Sequence, residues 1–292
     1  MTAAEPIPVI INPAAKGAGA ARKLSRVRGL SPRVQLRETT GAGDARRIAR
    51  ELAAEGVPLV VAAGGDGTVN EVMAGLAETP PGQPAPALGV LPLGTMNVFA
   101  LEMRLPVLNL AACWERIENG RPRPVDLWQA GGRVFAQMAG VGLDASVVRE
   151  TSWQSKKRWG PFSYIGTLIR LLDQPPAQIT VEIDSGECFD ATAILIGNGR
   201  FYGGLFPVFP GAQNDDGWLD LAIIRGHGPA LMGGLFIDIL QRAEREETVV
   251  RRRARQCRIT SASEAPFEVD GELAGATPLA ITPAARNISV MS

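Results

Sequence analysis

The residues that most constrain this chain are 58–76, PLVVAAGGDGTVNEVMAGL. The apolar run 60–63 is typical of a central strand in a parallel sheet, which is buried on both faces. Gly64, Gly65 and Gly67 follow, and glycines let the backbone turn tightly and approach a ligand where a Cβ would intrude. The segment therefore predicts a buried strand that ends in a glycine loop shaped to meet a ligand.

A helix is predicted directly after this loop. Thr68 and Glu71 have the spacing of a capping box, so a helix should begin there with free N–H groups directed at the loop, which favours a phosphate. Asp66 stands at the tip of the turn, where a carboxylate facing a phosphate needs a cation to balance it. We interpret Asp66 as a partner of Mg²⁺ held by a nucleotide. The alternative is a glycine-rich turn in which Asp66 and Glu71 only cap the helix.

The composition argues against several classes of function. Lys plus Arg and Asp plus Glu each total 30 among 292 residues, so no overall charge attracts nucleic acid. Cys113, Cys188 and Cys257 lack the paired spacing of a zinc site or a disulfide framework, and they fit a reducing cytoplasm. The single histidine, His227, lies in a turn-like sequence. A Ser/His/Asp hydrolase is therefore hard to build, and any proton transfer must rely on a carboxylate.

Strand-like and helical segments alternate from residue 7 to about residue 118. PVIIN, RVQLRE, PLVVAA and ALGVLP are predicted strands, and helices should begin near Ala18, Asp44 and Thr68. The alternation predicts parallel βαβ units, an α/β domain with helices on both faces of the sheet. Ligands bind such sheets at the carboxyl ends of the strands, where GGDGT and LPLGT both fall.

The pattern changes near residue 120 into short alternating segments separated by turns. They predict a mainly antiparallel β-sandwich built from RPVDLWQA, RVFAQMAGVGL, AQITVEI, CFDATAILIG, WLDLAII, TVVRRRARQCRIT, FEVDG and RNISVM. Two helical segments, 162–172 and 230–245, interrupt them. We therefore predict a nucleotide-binding α/β domain over 1–121 and a substrate-binding β-sandwich over 122–292, with the active cleft between them.

GGDGTVNEV resembles the nucleotide-binding motif of the diacylglycerol kinase catalytic domain family, which includes bacterial lipid kinases and the sphingosine and ceramide kinases. More distantly, the motif is similar to that of the NAD kinases. The resemblance continues in the family's order, over nearly the whole chain, through residues 12–13, 39–45, 91–100, 201–221 and 267–272. It implies a two-domain NAD kinase-like fold with ATP and Mg²⁺ as cofactors. The residues it places at the nucleotide are Asn12, Thr40, Gly64, Gly65, Asp66, Gly67, Thr68, Glu71, Gly94, Thr95 and Asn97.

The LPLGTMN segment is the second candidate element at the nucleotide, because the chain has no GxxxxGK[ST] loop. Gly94 permits close approach, while Thr95 and Asn97 offer hydrogen bonds at a strand end. A turn capped by Thr95 before a helix at Val98 is the alternative. Many family members carry an Asp where Val98 stands here, so the identity of the substrate stays open.

Asp270-Gly271-Glu272 follows an alternating strand-like run, and Asp-Gly by itself is a strong hairpin signal. The resemblance implies that this segment faces the nucleotide, with Glu272 as the general base and Asp270 near the metal. Together with Asp66, these two acids are the expected catalytic residues.

The NDDGWLD sequence lacks the remaining ligands and the flanking helices of an EF-hand, and a solvated acidic turn is one interpretation of it. The resemblance implies instead a structural Mg²⁺ bound by the carboxylate of Asp216 and the backbone carbonyls of Gln213 and Trp218. It also implies that Asp126 lies near the metal and its water network and Asp144 near the lipid head group. Either could equally be a turn or edge-strand residue.

No stretch is long enough to span a membrane, so lipid should be met from the water side. Residues 153–162 join the cations Lys156, Lys157 and Arg158 to aromatic side chains, which suits an interfacial membrane contact; a solvated loop leading into a core helix is the alternative. A second set of cations is either a solvated strand face or an attraction for anionic lipid. It comprises Arg251, Arg252, Arg253, Arg255 and Arg258.

These inferences predict an ATP-dependent, Mg²⁺-requiring lipid kinase that phosphorylates a hydroxyl of diacylglycerol or a related lipid. The alternatives are an NAD kinase-like enzyme with a soluble substrate and a nucleotide- or lipid-binding regulator without turnover. The expected partners are the lipid substrate, an anionic membrane contacted peripherally from the cytoplasm, and a second copy in a homodimer, but not nucleic acid. The family often returns a C-terminal segment to the first domain. This chain ends almost directly after its last predicted strand, so the sequence leaves open whether it has that return.

Overall fold

The computed structural model describes residues 5–13, 19–143, 145–146, 176–226 and 248–292. The chain divides into two compact units, Met1–Leu127 with Ala284–Ser292 and Trp128–Pro283. Residues 122–127 and 284–292 thus belong to the first unit, unlike in the predicted division at residue 121. The two predicted helices at 162–172 and 230–245 lie outside the described residues.

The first unit is an α/β fold around one six-stranded sheet, as predicted. The strands are β1 (Ile7–Ile11), β2 (Val34–Glu38), β3 (Leu59–Gly64), β4 (Ala87–Pro92), β5 (Pro122–Val125) and, at the end of the chain, β18 (Ile288–Met291). Their order is β2-β1-β3-β4-β18-β5, and every neighbouring pair is parallel except β18 with β5. The described helices are α1 (Ala20–Arg28), α2 (Asp44–Ala54), α3 (Asp66–Ala77), α4 (Val98–Glu102) and α5 (Leu110–Asn119).

Burial explains why the central strands carry continuous apolar runs. Every residue of β1 is buried, and β3 and β4 are buried after their first residue, which is the pattern of strands covered on both faces. Helices α2 and α3 pack so closely that a Cβ at Gly75 would lie 2.3 Å from the Arg46 carbonyl oxygen. Glycine is required there because any larger residue would push the helices apart.

The last strand corrects the sequence prediction. The sequence places RNISVM in the sandwich, whereas β18 pairs in parallel with β4 and antiparallel with β5. Its apolar residues Ile288 and Val290 are buried in the first unit. The C-terminal return that the sequence left open is therefore present. Alternating apolar residues indicate a half-buried strand, but the alternation does not reveal which sheet the strand joins.

The second unit is an antiparallel β-sandwich, as predicted. Its strands are β6 (Trp128–Ala130), β7 (Arg133–Phe135), β8 (Met138–Gly142), β9 (Ile179–Ile183), β10 (Cys188–Ala191), β11 (Ala193–Gly197), β12 (Leu219–Ile224), β13 (Val249–Ala254), β14 (Cys257–Ser261), β15 (Pro266–Val269), β16 (Glu272–Ala276) and β17 (Leu279–Pro283). One sheet has the order β10-β9-β14-β17-β6-β7 and the other β13-β12-β11-β8-β15-β16. Strands β16 and β17 were not predicted from the sequence.

Two hydrophobic clusters stabilise the sandwich. The larger contains buried side chains of both sheets, among them Trp128, Phe135 and Phe267. The smaller joins β11, β12 and β13 to the connection after β11, where Tyr202 and Phe209 meet edge to face at 6.2 Å. That connection is therefore packed onto the sheet. Among the helices in the described residues, none combines the length and apolarity needed to cross a membrane.

Candidate functional site

The parallel strands bring the predicted nucleotide residues to one edge of the first sheet. Asn12 directly follows β1, Thr40 lies just beyond β2, and Gly94 lies just beyond β4. Because these strands run parallel, the loops after them share the carboxyl edge of the sheet, where α/β folds bind ligands. The Leu93 N–H donates to the Gly64 carbonyl oxygen at 2.8 Å, which ties the loop after β4 to the end of β3.

The two glycine loops touch backbone to backbone. A Cβ at Gly94 would lie 2.4 Å from the Gly65 Cα, and a Cβ at Gly65 would lie 3.1 Å from the Gly94 Cα. Any side chain at Gly94 would force the loops apart. The edge therefore presents main chain rather than side chains at this point, beside the amino end of α3, where a phosphate is favoured.

Asn97 shapes the second glycine loop. Its Oδ1 accepts the Gly94 N–H at 2.9 Å, and its Nδ2 donates to the Gly94 carbonyl oxygen at 3.2 Å. Its backbone is left-handed at φ 51°, a conformation that Asn tolerates better than most residues. Asn97, rather than Thr95, is the residue at the amino end of α4. The alternative of a cap by Thr95 is thus not what the structure shows.

Asp66 is the first residue of α3, so the helix begins two residues earlier than Thr68. The Asp66 Oδ1 accepts the Phe99 N–H at 3.1 Å, so the carboxylate caps α4 rather than its own helix. Burial raises the pKa of Asp66, and backbone N–H groups, first that of Phe99, oppose the shift. The N-cap residue of α3 is Gly65, which has no side chain to cap the helix. A role for Asp66 toward Mg²⁺ stays a prediction.

Glu71 does not close the predicted capping box with Thr68. It accepts the Gly43 N–H at 2.9 Å and the Ala45 N–H at 3.1 Å, which caps helix α2. A carboxylate at a helix amino terminus satisfies N–H groups that have no intrahelical partner. The amino end of α2 is thus already occupied by an acid of the protein.

Thr40 is likewise bonded within the protein. Both its N–H and its hydroxyl donate to Asp44 Oδ2, the former at 2.8 Å. These hydrogen bonds, led by that of the Thr40 hydroxyl, lower the pKa of Asp44 to about 2. Thr40 therefore holds the loop before α2, and its predicted contact with a nucleotide stays a prediction.

The remaining predicted residues of the first unit differ in burial and in their contacts. Gly64 permits the start of α3, because a Cβ there would lie 2.5 Å from the Thr68 side chain. Gly67 is exposed in the first turn of α3. Asp126 is buried after β5, where its Oδ1 accepts the Asn287 Nδ2–H at 2.6 Å. That bond joins Asp126 to the C-terminal segment that precedes β18.

In the second unit, Asp270 has its carboxylate surrounded by backbone donors. Its Oδ1 accepts the N–H of Gln137 at 3.1 Å and that of Met138 at 2.9 Å, and its Oδ2 accepts the Ala136 N–H at 3.1 Å. The Asp270 N–H in turn donates to the Met138 carbonyl oxygen at 2.9 Å. Three N–H donors hold a carboxylate firmly. Asp270 therefore anchors the segment Asp270-Gly271-Glu272, which we name the acidic turn.

Glu272, at the start of β16, is the exposed member of the acidic turn. Its Oε2 lies 3.2 Å from Arg133 Nη1, and the side chains are 61% and 48% exposed respectively. Glu272 therefore presents a carboxylate to solvent, and its role as a general base stays a prediction.

Sequence reasoning missed two buried residues beside the acidic turn. Glu268 is fully buried, and its Oε2 accepts the Gly271 N–H at 2.7 Å. Asn198 is also fully buried, and its Nδ2 donates to the Ala136 carbonyl oxygen at 2.7 Å. Glu268 lies in the alternating run before the turn, and a charged residue within a buried strand was the available signal. Asn198 has no comparable local signal.

Asp216 has partners other than a metal in this structure. Its Oδ1 accepts the Trp218 N–H at 3.0 Å, and its Oδ2 pairs with the guanidinium of Arg253, which also lies 3.7 Å from Asp220. Burial raises the pKa of Asp220, and the charge of Arg253 opposes the shift. Within the described ranges, no three His, Cys, Asp or Glu residues cluster closely enough to hold a metal. The Mg²⁺ site of Asp216 with the Gln213 and Trp218 carbonyls stays a prediction.

The arginines near residue 253 stack on aromatic rings. The distances from guanidinium carbon to ring centroid are 6.0 Å for Arg251 over Phe209, 5.2 Å for Arg252 over Phe189, 5.5 Å for Arg253 over Trp218 and 4.7 Å for Arg255 over Trp218. Such stacking favours cations that are partly desolvated. These four side chains therefore take part in the packing of the sandwich. Asp144 and residues 153–162 lie outside the described residues.

Family comparisons cover both units. Residues 6–130 match the diacylglycerol kinase catalytic domain, and residues 137–292 match the YegS C-terminal NAD kinase beta sandwich-like domain. The second match alone spans more than half of the chain. The two matches follow each other in the order that the resemblance implies.

Individual relatives agree with these matches. The chain is 30% identical to the diacylglycerol kinase of Bacillus subtilis (strain 168) over 87% of this chain and 84% of that protein. It is 37% identical to a protein of Cronobacter sakazakii (strain ATCC BAA-894) named probable lipid kinase YegS-like, over 82% of this chain and 79% of that protein. A crystal structure of a diacylglycerol kinase from Bacillus anthracis str. Sterne superposes with a TM-score of 0.78 at 26% identity, covering 98% of this chain and 96% of that chain.

Proposed function

Because the chain belongs to the diacylglycerol kinase catalytic domain family, we propose that it transfers the terminal phosphoryl group of ATP to a hydroxyl of diacylglycerol or a related lipid, with Mg²⁺. The family membership supports a kinase acting on a lipid. The choice of lipid, the nucleotide and the metal are the proposed part.

The observation that carries this proposal is the contact of Gly65 with Gly94 at the carboxyl edge of the first sheet. Two loops without side chains meet there, next to the amino end of a twelve-residue helix that has no side-chain cap. Main-chain N–H groups and a helix amino terminus favour the phosphates of a nucleotide. The bulk of a Cβ at either glycine would remove this property.

The donors in this structure fit a magnesium ion that arrives with a nucleotide. Mg²⁺ in kinase sites is held by one or two carboxylates together with phosphate oxygens and waters, so a cage made only of protein groups is not required. Asp66 stands at the start of α3 with one carboxylate oxygen bonded to the Phe99 N–H. Asp66 would hold the ion, and a bound Mg²⁺ would neutralise part of the charge that develops on the phosphates.

Glu272 is the proposed general base. The lipid hydroxyl must lose a proton as it attacks, and the exposed carboxylate of Glu272 can accept it. Arg133 pairs with this carboxylate and fixes one of its oxygens. Asp270, with three N–H groups on its carboxylate, holds the turn that carries Glu272.

Incubation of the purified protein with radiolabelled ATP, Mg²⁺ and a panel of acceptors tests the proposal. The panel contains diacylglycerol, sphingosine, ceramide and NAD. Label in a lipid supports the proposal, and label in NAD alone favours the soluble-substrate alternative. No transfer to any acceptor, combined with ATP binding by calorimetry, favours a regulator without turnover.

Two variants assign the residues in the same assay. Asp66→Asn should abolish transfer while keeping the melting temperature, because an amide oxygen can still accept the Phe99 N–H. Glu272→Gln should keep ATP binding but lower turnover on the order of a hundredfold, the scale of general-base catalysis. Wild-type turnover in either variant contradicts the role given to that residue.

We also propose that the protein attaches reversibly to anionic membranes through residues 153–162, which combine cations with aromatic residues. Each Lys or Arg near such a surface contributes about 1 kcal/mol. Co-sedimentation with anionic vesicles should therefore fall strongly when Lys156, Lys157 and Arg158 are replaced by alanine, and it should fall for the wild type at high salt. Equal binding of both proteins contradicts this proposal.

A further inference from the structure

We propose that Asn198 and Glu268 are positioning residues that hold the acidic turn in place, an inference that rests on the proposed role of Glu272 as the general base. Asn198 lies outside the segments that carry the family resemblance, whereas Glu268 lies within one of them, 267–272, where sequence reasoning assigned it no role. Both are fully buried, and each has a polar side chain that hydrogen-bonds to the main chain of the turn or of its neighbour.

Asn198 bonds to the carbonyl groups of Ala136 and Gln137. Its Nδ2 donates to the Ala136 carbonyl oxygen at 2.7 Å, and its own N–H donates to the Gln137 carbonyl oxygen at 2.9 Å. Its Oδ1 accepts the Trp128 Nε1–H at 2.8 Å, which fixes the orientation of the amide group. Every one of these bonds is buried from water, so an alternative partner is not available from solvent.

Asp270 holds the same peptide segment from its N–H side. The N–H groups of Ala136, Gln137 and Met138 all donate to the Asp270 carboxylate. The connection between β7 and β8 is thus clamped between Asn198 on its carbonyl groups and Asp270 on its N–H groups. A shift of this connection would move Asp270 and, two residues later, Glu272.

Glu268 holds the acidic turn from a second direction. Its Oε2 accepts the Gly271 N–H at 2.7 Å, while the Tyr202 hydroxyl lies 3.4 Å from its Oε1. Gly271 has a positive φ of 83° and separates Asp270 from Glu272. The bond to Glu268 therefore defines how the chain turns from the anchored acid to the exposed one.

Displacement of Glu272 should reduce turnover more than nucleotide binding. A reacting group misplaced by about 1 Å slows an enzyme on the order of a hundredfold. We expect Asn198→Ala and Glu268→Ala each to lower kcat about tenfold or more. KM for ATP should stay within about twofold, because the substitutions displace the general base and leave the nucleotide contacts unchanged.

Conservative variants separate the individual bonds. Asn198→Asp keeps an oxygen for the Trp128 Nε1–H but loses the donor to the Ala136 carbonyl, so it should be at least as slow as Asn198→Ala. Glu268→Gln keeps an acceptor for the Gly271 N–H and should retain most of the activity that Glu268→Ala loses. Thr192→Val is the matched control, because it removes a side-chain bond to the Ile224 carbonyl at 3.3 Å, away from the acidic turn.

A double-mutant cycle with Glu272→Gln distinguishes positioning from a general loss of structure. A residue that acts through Glu272 has little effect once that carboxylate is gone, so Asn198→Ala should cost little further turnover in the Glu272→Gln background. The full tenfold loss in that background overturns the inference. Wild-type turnover of Glu272→Gln also overturns it.

Hydrogen exchange of residues 136–138 and 270–272, measured by mass spectrometry on the full chain, tests the clamp without any activity. Exchange there should rise in Asn198→Ala and Glu268→Ala and stay unchanged in Thr192→Val. Unchanged exchange in both alanine variants overturns the clamp, and faster exchange with wild-type kcat overturns the positioning role. A wild type that phosphorylates no lipid defeats the proposed function, whereas the exchange result still tests the clamp.

Discussion

The two units differ in what their main chain meets at the predicted site residues. At the carboxyl edge of the first sheet, Gly65 and Gly94 approach each other without side chains, and helix α3 begins without a side-chain cap. At the acidic turn of the second unit, three consecutive N–H groups are all bonded to Asp270. The first arrangement suits an anion that comes from outside. The second holds an acid of the protein itself.

This difference shows where each unit is sensitive to change. The first edge depends on the absence of side-chain volume, so added atoms should damage it while altered charge leaves the fold intact. The acidic turn depends on a negative charge that satisfies buried donors, so an isosteric loss of charge should damage it. Added side-chain volume should therefore damage the glycine edge of the first unit, whereas loss of a negative charge should damage the acidic turn of the second.

Among the substitutions that compare the two units, Gly94→Ala should have the largest effect on stability and turnover together. The new Cβ would lie 2.4 Å from the Gly65 Cα, so one loop must move. Overpacking costs about 1–3 kcal/mol of stability, and a displaced loop should lower nucleotide-dependent turnover on the order of a hundredfold. Calorimetry with ATP and thermal unfolding measure the two effects on one preparation.

Gly19→Ala is the matched control for that variant, because among the described residues no atom lies within 4 Å of a Cβ there, and its φ is −99°. It should keep both ATP affinity and stability. If Gly94→Ala also behaves like the wild type, the glycine contact has no role in the site.

A second pair compares neighbouring acids of the second unit. Asp270→Asn preserves side-chain shape and tolerance of φ 48°, yet it replaces a charged acceptor of three N–H groups, so it should cost about 2 kcal/mol of unfolding free energy. Glu272→Gln loses only an exposed ion pair with Arg133 and should cost less than about 1 kcal/mol. Urea unfolding of both variants is the measurement. Equal losses of unfolding free energy would contradict the distinction between Asp270 as the anchor of the turn and Glu272 as its exposed base.

A smaller effect is expected on the way that Mg²⁺ raises the melting temperature through Asp216. The Arg253 guanidinium occupies one carboxylate oxygen, so Mg²⁺ must displace it to bind there. Removal of this competitor in Arg253→Ala should increase the rise in melting temperature that Mg²⁺ causes without nucleotide, since binding to the native state alone stabilises it. Asp216→Ala should abolish the rise. A full Mg²⁺ response in Asp216→Ala would place the ion elsewhere.

The smallest effect is expected for Thr40→Val. The Thr40 hydroxyl is the main cause of the low pKa of Asp44, so the pKa should rise from about 2 toward the ordinary 3.8. A folded-state pKa below the ordinary value stabilises the fold above about pH 3.8, and this contribution is lost as the pH falls toward 2. Thr40→Val should therefore flatten the acid end of the stability curve. NMR titration of the Asp44 carboxyl, with Thr192→Val as control, measures the shift.

Much of the fold was predictable because local patterns report it. Continuous apolar runs marked β1, β3 and β4, and alternating runs marked the sandwich strands, as period and burial require. The destination of β18 was not predictable in this way. An alternating strand fits any half-buried position, and the pairing of β18 with β4 depends on a sheet assembled from residues about two hundred positions earlier.

The residues of the site were predictable from the sequence, but their hydrogen-bond partners were less so. The glycine loops and the acidic turn were located from sequence, whereas Glu71 caps α2 instead of its own helix and Asp66 caps α4. Buried Asn198 lies outside the recognised motifs, and the bond of Glu268 to the Gly271 N–H could not be predicted from its motif. A hydrogen-bond partner that lies 28 or 33 residues away is chosen by how two loops meet.

The sequence by itself therefore determined most of the segments that become strands, where the backbone must be glycine, and which acids stand at the ends of strands, because each depends on neighbours along the chain. Only the tertiary structure decided which N–H groups each carboxylate accepts, which cation Asp216 meets, and which sheet β18 completes. The physical reason is that a carboxylate bonds to whichever donor the packing of distant segments places within about 3 Å, and no local pattern encodes that distance.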